Sequence, residues 1–436
     1  MFIRPLAVAL SGCGIVLAGI VRDAGWALLL TVILAVAVCL DVLCAPSPSH
    51  VYIDDEMPAS TRVGQSTPRT LILSHTGRST IRGMIRDAWP PSGMLSPSRH
   101  SFVLSPGQRS ILHSTLRPQR RGTLHSSAIT IRTYGPLHLA GRQQTVSTSW
   151  QLRILPEFIS RKNLPSRLQQ LRELGGRSLL LVRGEGTEFD SLREYVAGDD
   201  VRAIDWRSTA RRGQTLVRTW RPERDRHVII VLDCGRGGAI RINDHPAFDA
   251  FIETSLLEGA LAQKAGDRVS ILAIDDQVRA RLTGENSSRL IHRMGEVIAD
   301  VEPSLRATDW SLLPTYIREL GTQPAFIIIT TTLNGGTVSS GLLDVLPILR
   351  QRHSVMIAAA TDSSSAATSS EQQSHNANLT VDDAYERAAY ERSRVENANL
   401  TRILENSGAH VVRADADCLP TAVVDRYIAL KAHGKL

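Results

Sequence analysis

The chain has 436 residues, more than one ordinary domain requires, which indicates two or three domains. Hydrophobic residues make up 42% and charged residues 21%, a globular profile that excludes a wholly disordered protein. The formal net charge of +7 is compatible with anionic lipid, nucleic acid or an acidic protein as partner, and selects none of them. The 5 cysteines show no CxxC or Cys/His ligand spacing, so the sequence proposes neither a zinc site nor a disulfide framework.

Two apolar runs, residues 5–21 and 26–44, open the chain with a short polar turn between them. Each is about long enough to cross a hydrocarbon core, the first only marginally. Because Arg4 precedes the first run, a signal peptide is the alternative, but a secreted protein has no use for the second run. We predict a transmembrane helical hairpin over residues 1–44. Asp41 is expected to reach the membrane interface, with a buried functional carboxylate as the alternative.

Residues 61–155 consist of short extended segments with alternating apolar residues and with Gly or Pro at the breaks. The pattern predicts an all-β, immunoglobulin-like sandwich. A Pro- and Ser-rich, acidic linker is expected before it at 45–60. The basic sequence RPQRRG, residues 117–122, is expected to form a turn between two strands.

From residue 227 to residue 436, strands alternate with helices, which predicts a doubly wound, mostly parallel α/β sheet. The predicted strands are HVIIVLD, RVSILAID, AFIIITTT, SVMIAAAT and AHVVRA, with QVRARL at an edge. Residues 156–226 are predicted to form a charged segment that packs on this domain, beginning with a helix over 163–178 that ends at Gly-Gly. The low-complexity segment 363–378 is expected to be a mobile loop.

Within the charged segment, residues 184–226 combine dense charge of both signs with tryptophan and tyrosine, which a solvated helix face does not need. The acidic residues that alternate with the arginines argue against a phosphate groove and are better explained by intramolecular Arg–carboxylate pairs. A short helix over 190–196 and a strand QTLVRTW are predicted here, with Tyr195 and Trp206 supplying packing area. A charged cap that only stabilises the fold and a docking surface both remain open.

Several chemistries have no supporting motif in the sequence. There is no GxxxxGK[ST] or complete GxGxxG unit, no GxSxG and no HExxH, which argues against nucleotide binding and nucleophilic catalysis of the common kinds. The acidic pairs Asp199–Asp200 and Asp275–Asp276 are expected to be solvated turn residues rather than acid/base catalysts.

One possible metal position lies at the carboxyl end of the first α/β strand, where open parallel sheets place their ligands. The arrangement resembles the von Willebrand factor A fold, which holds Mg²⁺ with Asp-x-Ser-x-Ser, a loop threonine and a later acid. The residues at these positions are Asp233, Gly235, Gly237, Thr308 and, in place of the later acid, Thr331 or Thr332. This set is poor in the oxygen ligands that Mg²⁺ requires, so we predict a vestigial site and no cofactor.

The segment GEGTEFDSLREYVAGDDVRAIDWRSTARRGQTLVRTWRPERDR, residues 184–226, closely resembles the signature of the bacterial "domain of unknown function 58" family. The candidate site residues at its signature positions are Gly184, Gly186, Glu188, Phe189, Arg193, Tyr195, Gly198, Asp199, Asp200, Arg202, Asp205, Trp206, Glu223 and Arg224. The resemblance implies a membrane-anchored cytosolic protein with a degenerate von Willebrand factor A-like domain. It also implies a MoxR-type AAA+ ATPase as partner, a role in assembly or maturation of other proteins, and no established enzymatic activity.

We therefore predict a non-catalytic adaptor in the cell (inner) membrane, with its soluble domains on the cytoplasmic side. Its charged segment is expected to engage the ATPase or a client protein, so that Asp205→Ala or Trp206→Ala abolishes partner binding. The alternative is a cell-envelope-associated structural or lipid- or protein-binding protein acting through the β domain. A third hypothesis is an enzyme using Asp199, Asp200 and Asp205. No nucleic-acid partner is expected, and the sequence does not indicate an oligomeric state.

Overall fold

A computed structural model describes residues 2–3, 12, 24–181, 188–196, 199–221, 226–242, 244–333, 341–361 and 381–433. The chain separates into two compact units, Met1–Glu157 and Phe158–Leu436. Apart from Gly12, the first predicted span, residues 5–21, lies outside the described residues, as does the segment 363–378.

The second apolar run forms helix α1 (Ala24–Cys44), which is long and apolar enough to cross a membrane. Its most apolar stretch has a mean hydropathy of 2.8 and is only 17% buried. Its exposed large apolar side chains are Trp26, Leu28, Leu29, Leu30, Val32, Ile33, Val36, Leu40 and Leu43. A helix that is apolar around most of its circumference and exposed over most of its length matches a lipid environment.

The last turn of α1 is fixed to the first unit by Asp41, which is fully buried. Its carboxylate accepts hydrogen bonds from the backbone N–H groups of Leu137 at 2.7 Å, and of Leu139 and Ala140 at 2.8 Å each. That Asp41 lies at the depth of the membrane interface stays a prediction, but its side chain faces neither lipid nor water. The side chain is instead enclosed by protein, because three backbone donors satisfy its charge there.

The first unit is otherwise built from strands. They are β1 (Phe2–Ile3), β2 (Val51–Glu56), β3 (Ser60–Arg62), β4 (Thr67–His75), β5 (Ile81–Ala88), β6 (Arg99–Leu104), β7 (Arg109–Leu116), β8 (Gly122–His125), β9 (Ala128–Tyr134), β10 (Ala140–Ser147) and β11 (Gln151–Leu155). They form three sheets with the orders β1-β10-β9-β5-β6, β2-β4-β7 and β3-β11-β8. Alternate residues along β4 and β5 are buried, and the buried set joins the larger sheets in one core that includes Leu73, Ile85 and Ile129.

The expected linker at 45–60 is wrong in its second half, because β2 pairs antiparallel with β4 and β3 pairs in parallel with β11. In β2, Val51 is buried while Asp54 and Glu56 are exposed. The acidic residues that suggested a linker thus occupy the outward positions of a strand. The basic turn between β7 and β8 is confirmed.

The second unit contains a six-stranded mixed sheet. The strands of the second unit as a whole are β12 (Glu188–Glu194), β13 (Leu216–Arg221), β14 (His227–Asp233), β15 (Arg241–Ile242), β16 (His245–Pro246), β17 (Arg268–Ile274), β18 (Val278–Glu285), β19 (Ala325–Thr331), β20 (Ser354–Thr361) and β21 (His410–Asp415). The six-stranded sheet has the order β18-β17-β14-β19-β20-β21, parallel except for the edge strand β18. The predicted strands and the edge position of QVRARL are confirmed.

Helices cover both faces of this sheet. The helices of the second unit as a whole are α2 (Leu164–Leu181), α3 (Trp206–Arg212), α4 (Arg236–Ala239), α5 (Ala247–Lys264), α6 (Leu290–Ile298), α7 (Leu313–Leu320), α8 (Leu343–Arg350), α9 (Val381–Asn406) and α10 (Leu419–Ala432). One core joins the sheet to α5, α6 and α10, and a second joins it to α7, α8 and the end of α9. The prediction that α2 ends at Gly175–Gly176 is wrong, since glycine costs only about 1 kcal/mol in a helix interior and does not force an end.

Candidate functional site

The charged segment folds as a hairpin in which β12 and β13 pair antiparallel, from Glu188 opposite Arg221 to Glu194 opposite Leu216. The expected helix over 190–196 is therefore wrong. Strand β13 satisfies the backbone of β12, and a bulge between Phe189 and Ser191 disturbs the period-two pattern that would have indicated a strand. We call the described residues 188–196 and 199–221 the signature hairpin.

The turn after β12 is held by a bidentate ion pair. The guanidinium of Arg193 donates to both carboxylate oxygens of Asp199, at 2.6 and 2.7 Å, and the backbone N–H of Val196 donates to the same carboxylate at 2.9 Å. The Asp199 contact raises the pKa of Arg193 above its ordinary value. The intramolecular Arg–carboxylate pairing expected from the alternating charges is thus confirmed here.

Asp205 joins the start of α3 to strand β13. Its Oδ1 accepts the backbone N–H of Ser208 at 2.9 Å, which caps the helix, and its Oδ2 accepts Nε of Arg218 at 2.9 Å. The Ser208 N–H and then Arg218 lower the pKa of Asp205 below its ordinary value. Asp200 caps the following turn by accepting the backbone N–H of Arg202 at 2.9 Å. The three aspartates of the enzyme hypothesis therefore all hold the backbone of the signature hairpin.

The outer surface of the signature hairpin is apolar and basic. Trp206 is 69% exposed, Val196 62% and Val201 61%, whereas Tyr195 is half-buried. The expectation that Trp206 supplies packing area is wrong, because as the first residue of α3 it points away from the hairpin core. The exposed arginines of this surface are Arg202, Arg207, Arg211, Arg212 and Arg218.

Some of the candidate residues cannot be compared with the structure. Gly184, Gly186, Gly198, Glu223 and Arg224 lie outside the described residues. For Glu188 and Phe189 only the backbone is described, within β12.

The second candidate feature lies where β14 ends. Asp233 is buried there, and the hydroxyls of Thr308 and Thr331 donate to its Oδ1 at 2.5 Å and its Oδ2 at 2.6 Å. The backbone N–H of Gly235 donates to Oδ1 at 3.0 Å. Burial raises the pKa of Asp233, and the three hydrogen bonds offset part of that rise. The two carboxylate oxygens thus have their donors within the protein.

The resemblance to a Mg²⁺ site is incomplete at these positions. A Cβ added at Gly235 would overlap the Thr308 hydroxyl, and one added at Gly237 would overlap the Asp233 carboxylate, so the serines required by the resemblance have no room. The hydroxyls of Thr308 and Thr331 donate to Asp233, so both oxygens of the carboxylate already have partners within the protein. Among the described residues, no group of three or more His, Cys, Asp or Glu could hold a metal ion.

A second carboxylate near this edge is also bound within the protein. Asp275 follows β17 and is buried, so the expectation of a solvated acidic pair is wrong for it. Its carboxylate accepts Nε of Arg279 at 2.7 and 2.8 Å and the hydroxyl of Ser304 at 3.0 Å. Burial alone would raise the pKa of Asp275, but the hydrogen bonds, that of Arg279 foremost, outweigh it and hold the pKa at about 2.

Two arginines that matter for this geometry were not singled out from the sequence. Arg279 lies four residues after Asp275, a spacing that is a usable signal only once the turn between β17 and β18 is known. Arg218 lies 13 residues after Asp205, in the predicted strand QTLVRTW, and nothing in a single sequence indicates which acid it meets.

The family model described as "Protein of unknown function DUF58" matches residues 191–397, which confirms the resemblance found in the charged segment. No curated protein matches the chain. Among solved structures, it is similar to the CARDB domain of a Pyrococcus furiosus protein in complex with di-metal ions. That similarity has 10% identity and a TM-score of 0.18, and covers 24% of this chain and 94% of that one.

Two larger solved proteins are similar over a comparable stretch. Native alpha-2-macroglobulin from Escherichia coli has 21% identity and a TM-score of 0.19, covering 26% of this chain and 17% of that chain. Beta-glucosidase from Listeria innocua has 10% identity and a TM-score of 0.17, covering 24% of this chain and 16% of that chain. TM-scores this low support no conclusion about fold or function.

Proposed function

Because the family model described as "Protein of unknown function DUF58" matches residues 191–397, we propose that the chain is a non-catalytic, membrane-tethered adaptor of that family. Its signature hairpin docks a MoxR-type AAA+ ATPase, so that a client protein can be assembled or matured beside the membrane. The observation behind this proposal is the 69% exposure of Trp206 on a frame whose acids are engaged internally. An exposed tryptophan on a fixed frame is typical of an interface anchor.

The charges of the signature hairpin favour a docking role over a purely stabilising cap. A cap would bury Trp206 and Val201 against the sheet, yet both are exposed. Exposed arginines, among them Arg207 and Arg211, follow the tryptophan along the same helix, which favours an acidic partner surface with an apolar pocket. The enzyme hypothesis is weaker, because Asp199 and Asp205 each have their carboxylate oxygens occupied by donors of the hairpin.

Membrane attachment by two spans is part of the proposal. Phe2–Ile3 pairs with Ala140 and Gly141 of β10, and Asp41 binds the N–H of Ala140 as well. The chain therefore contacts strand β10 both before and after the apolar runs. A segment that leaves and returns to one place crosses a bilayer an even number of times, which supports a helical hairpin with both termini on one side. We place that side in the cytoplasm.

The finer domain assignments are also proposals. Two sheets of the first unit enclosing one core support an immunoglobulin-like sandwich. In the second unit, a mostly parallel sheet with Asp233 at the end of a central strand supports a degenerate von Willebrand factor A-like domain. The boundaries 61–155, 156–226 and 227–436 follow the sequence patterns.

The test is binding of the purified MoxR-type ATPase from the same organism to the full-length chain in lipid nanodiscs. We expect Trp206→Ala to weaken binding at least about tenfold, because interface tryptophans contribute about 2 kcal/mol or more. Ile348→Ala is the matched control, since Ile348 is a 54% exposed apolar residue of α8 outside the signature hairpin.

The possible outcomes test separately whether the proposed partner is right and whether it docks at the signature hairpin. If the ATPase does not bind the wild-type chain, the proposed partner is wrong. If Trp206→Ala and Ile348→Ala bind equally well, the ATPase docks elsewhere. Asp205→Ala is a poorer probe than the sequence suggested, because loss of the helix cap and of the Arg218 contact would loosen the hairpin itself.

A second candidate function is supported by one feature of the first unit. A cavity of about 560 Å³ is lined by Asp55, Glu56, Met57, Pro58, Ala59, Ser149, Trp150 and Gln151. Its lining includes the exposed Glu56, whereas Asp55 and Trp150 already contact the guanidinium of Arg69. The alternative role, a cell-envelope-associated structural or lipid- or protein-binding protein acting through the β domain, would use this cavity. Loss of ligand binding on Trp150→Ala with ATPase binding intact would support it.

A further inference from the structure

The loop between β9 and β10, residues 135–139, is attached directly to the end of the apolar helix. Asp41 accepts the backbone N–H groups of Leu137 and Leu139, and a Cβ added at Gly135 would overlap the Asp41 carboxylate. The loop and the last turn of α1 therefore have a fixed geometry.

Further contacts from the same strands hold the end of α1. Nε and Nη2 of Arg142 donate to the carbonyls of Val42 and Leu43 at 3.3 and 3.4 Å, which satisfies two acceptors that a helix end leaves free. The hydroxyl of Thr133 donates to the carbonyl of Pro46 at 2.7 Å. A flexible linker would make none of these contacts, so α1 enters the first unit as a rigid stalk.

The length of α1 sets the depth of this junction. At about 1.5 Å per residue, the stretch from Ala24 to Leu40 spans only about 25 Å, less than the roughly 30 Å of a hydrocarbon core. Extending the span to Leu43 gives about 30 Å. Leu43 is 65% exposed, so its side chain is available to lipid at this position. The last turn of α1, which includes Asp41, thus lies at the boundary of the hydrocarbon.

Leu137 is 53% exposed at the tip of the attached loop. A leucine side chain that faces water there would not stabilise the loop. We propose that this loop is a bilayer-contacting element that places Leu137 beside Leu43 in the interfacial region of the membrane. The inference rests on the proposed membrane span of α1. The buried carboxylate of Asp41 is tolerated at this depth because its three N–H donors compensate its charge.

Depth measurements on the full-length chain in phospholipid nanodiscs test the proposal. Spin labels are attached at Leu137→Cys, or at Val103→Cys, in a background with the native cysteines replaced. Val103 is the matched control, a 57% exposed residue on β6 of the same unit. We expect the label at 137 to collide with lipid-soluble oxygen and to lose accessibility to a water-soluble nickel chelate, and the label at 103 to show the reverse.

Equal nickel accessibility at 137 and 103 would overturn the proposal. A third label, at Leu30→Cys within α1, separates this result from failure of the membrane anchor. If the label at 30 is also water-accessible, α1 does not cross the bilayer and both ideas fail together. If only the labels at 137 and 103 are water-accessible, the anchor holds and the bilayer-contacting loop is wrong. Asp41→Ala is expected to return the label at 137 to water while the label at 30 stays in lipid.

Discussion

Replacing Asp233 with alanine is expected to lower the free energy of unfolding of the α/β unit by about 2–4 kcal/mol. The variant removes the carboxylate that accepts from the hydroxyls of Thr308 and Thr331 and from the N–H of Gly235. Each buried group without a partner costs about 1–3 kcal/mol, and Thr331 recovers part of this through the carbonyl of Thr332 at 3.5 Å. Hydrogen exchange of β14 and β19 peptides in the full-length protein measures the change.

Asp233→Asn is the matched variant, since its amide keeps an acceptor oxygen for Thr308 and Gly235 and can donate to the hydroxyl of Thr331. We expect it to retain wild-type protection, and excess Mg²⁺ to leave both proteins unchanged. A metal that bound the folded state at about 100 times its dissociation constant would add about 2.7 kcal/mol. A Mg²⁺-dependent gain in the wild type that disappears in Asp233→Asn would contradict the closed arrangement.

The surroundings of Asp233 could be predicted from the sequence only in part. The strand pattern placed Asp233 at a strand end, and the two glycines and the threonines already indicated a poor ligand set. The hydroxyls close onto the carboxylate from positions 75 and 98 residues further along the chain. Which way those hydroxyls point depends on loop geometry, which residue spacing does not encode.

The incorrect predictions have the same physical origin. The segment 190–196 has a helix-like apolar spacing, but β13 offers its backbone a partner, and pairing with a distant strand overrides a local period. The burial of Asp41 could not be predicted from the sequence, because the N–H groups that bind its carboxylate lie 96, 98 and 99 residues away. The strands of the six-stranded sheet were predictable because continuous apolar runs indicate burial on both faces without reference to any partner.

The aspartates of the signature hairpin have structural roles, which changes how its function is interpreted. A charged motif in sequence suggests chemistry at its carboxylates, yet Asp199 and Asp205 mainly build the hairpin and Asp200 caps a turn. Our proposal assigns recognition to the exposed Trp206, although an aromatic residue in this segment of the sequence indicates packing. Under this proposal, the signature combines residues that shape a surface with a smaller number that would contact the partner.

Glu258→Gln is expected to stabilise the α/β unit, increasingly so as the pH rises from 5 to 8. Glu258 on α5 is fully buried, and both its carboxylate oxygens are without a hydrogen-bond partner among the described residues. Burial raises the pKa of Glu258 well above its ordinary value, and nearby Asp267 raises it further. Lys431 offsets this only in part, because its Nζ already donates to Asp267 at 2.6 Å and to the hydroxyl of Tyr427 at 3.1 Å.

The direction of the pH dependence follows from that raised pKa. The folded state holds the Glu258 proton more tightly than the unfolded state, so its contribution is fully present below the unfolded pKa and is lost as the pH rises toward the folded pKa. Within that window the wild type loses about 1.4 kcal/mol per pH unit relative to Glu258→Gln. The control is Glu319→Gln, which removes an exposed pair with Arg281 and should change stability by less than about 1 kcal/mol at either pH. Equal protection of wild type and Glu258→Gln at pH 8, measured by hydrogen exchange of α5 peptides, would show that the buried carboxyl finds a compensating partner.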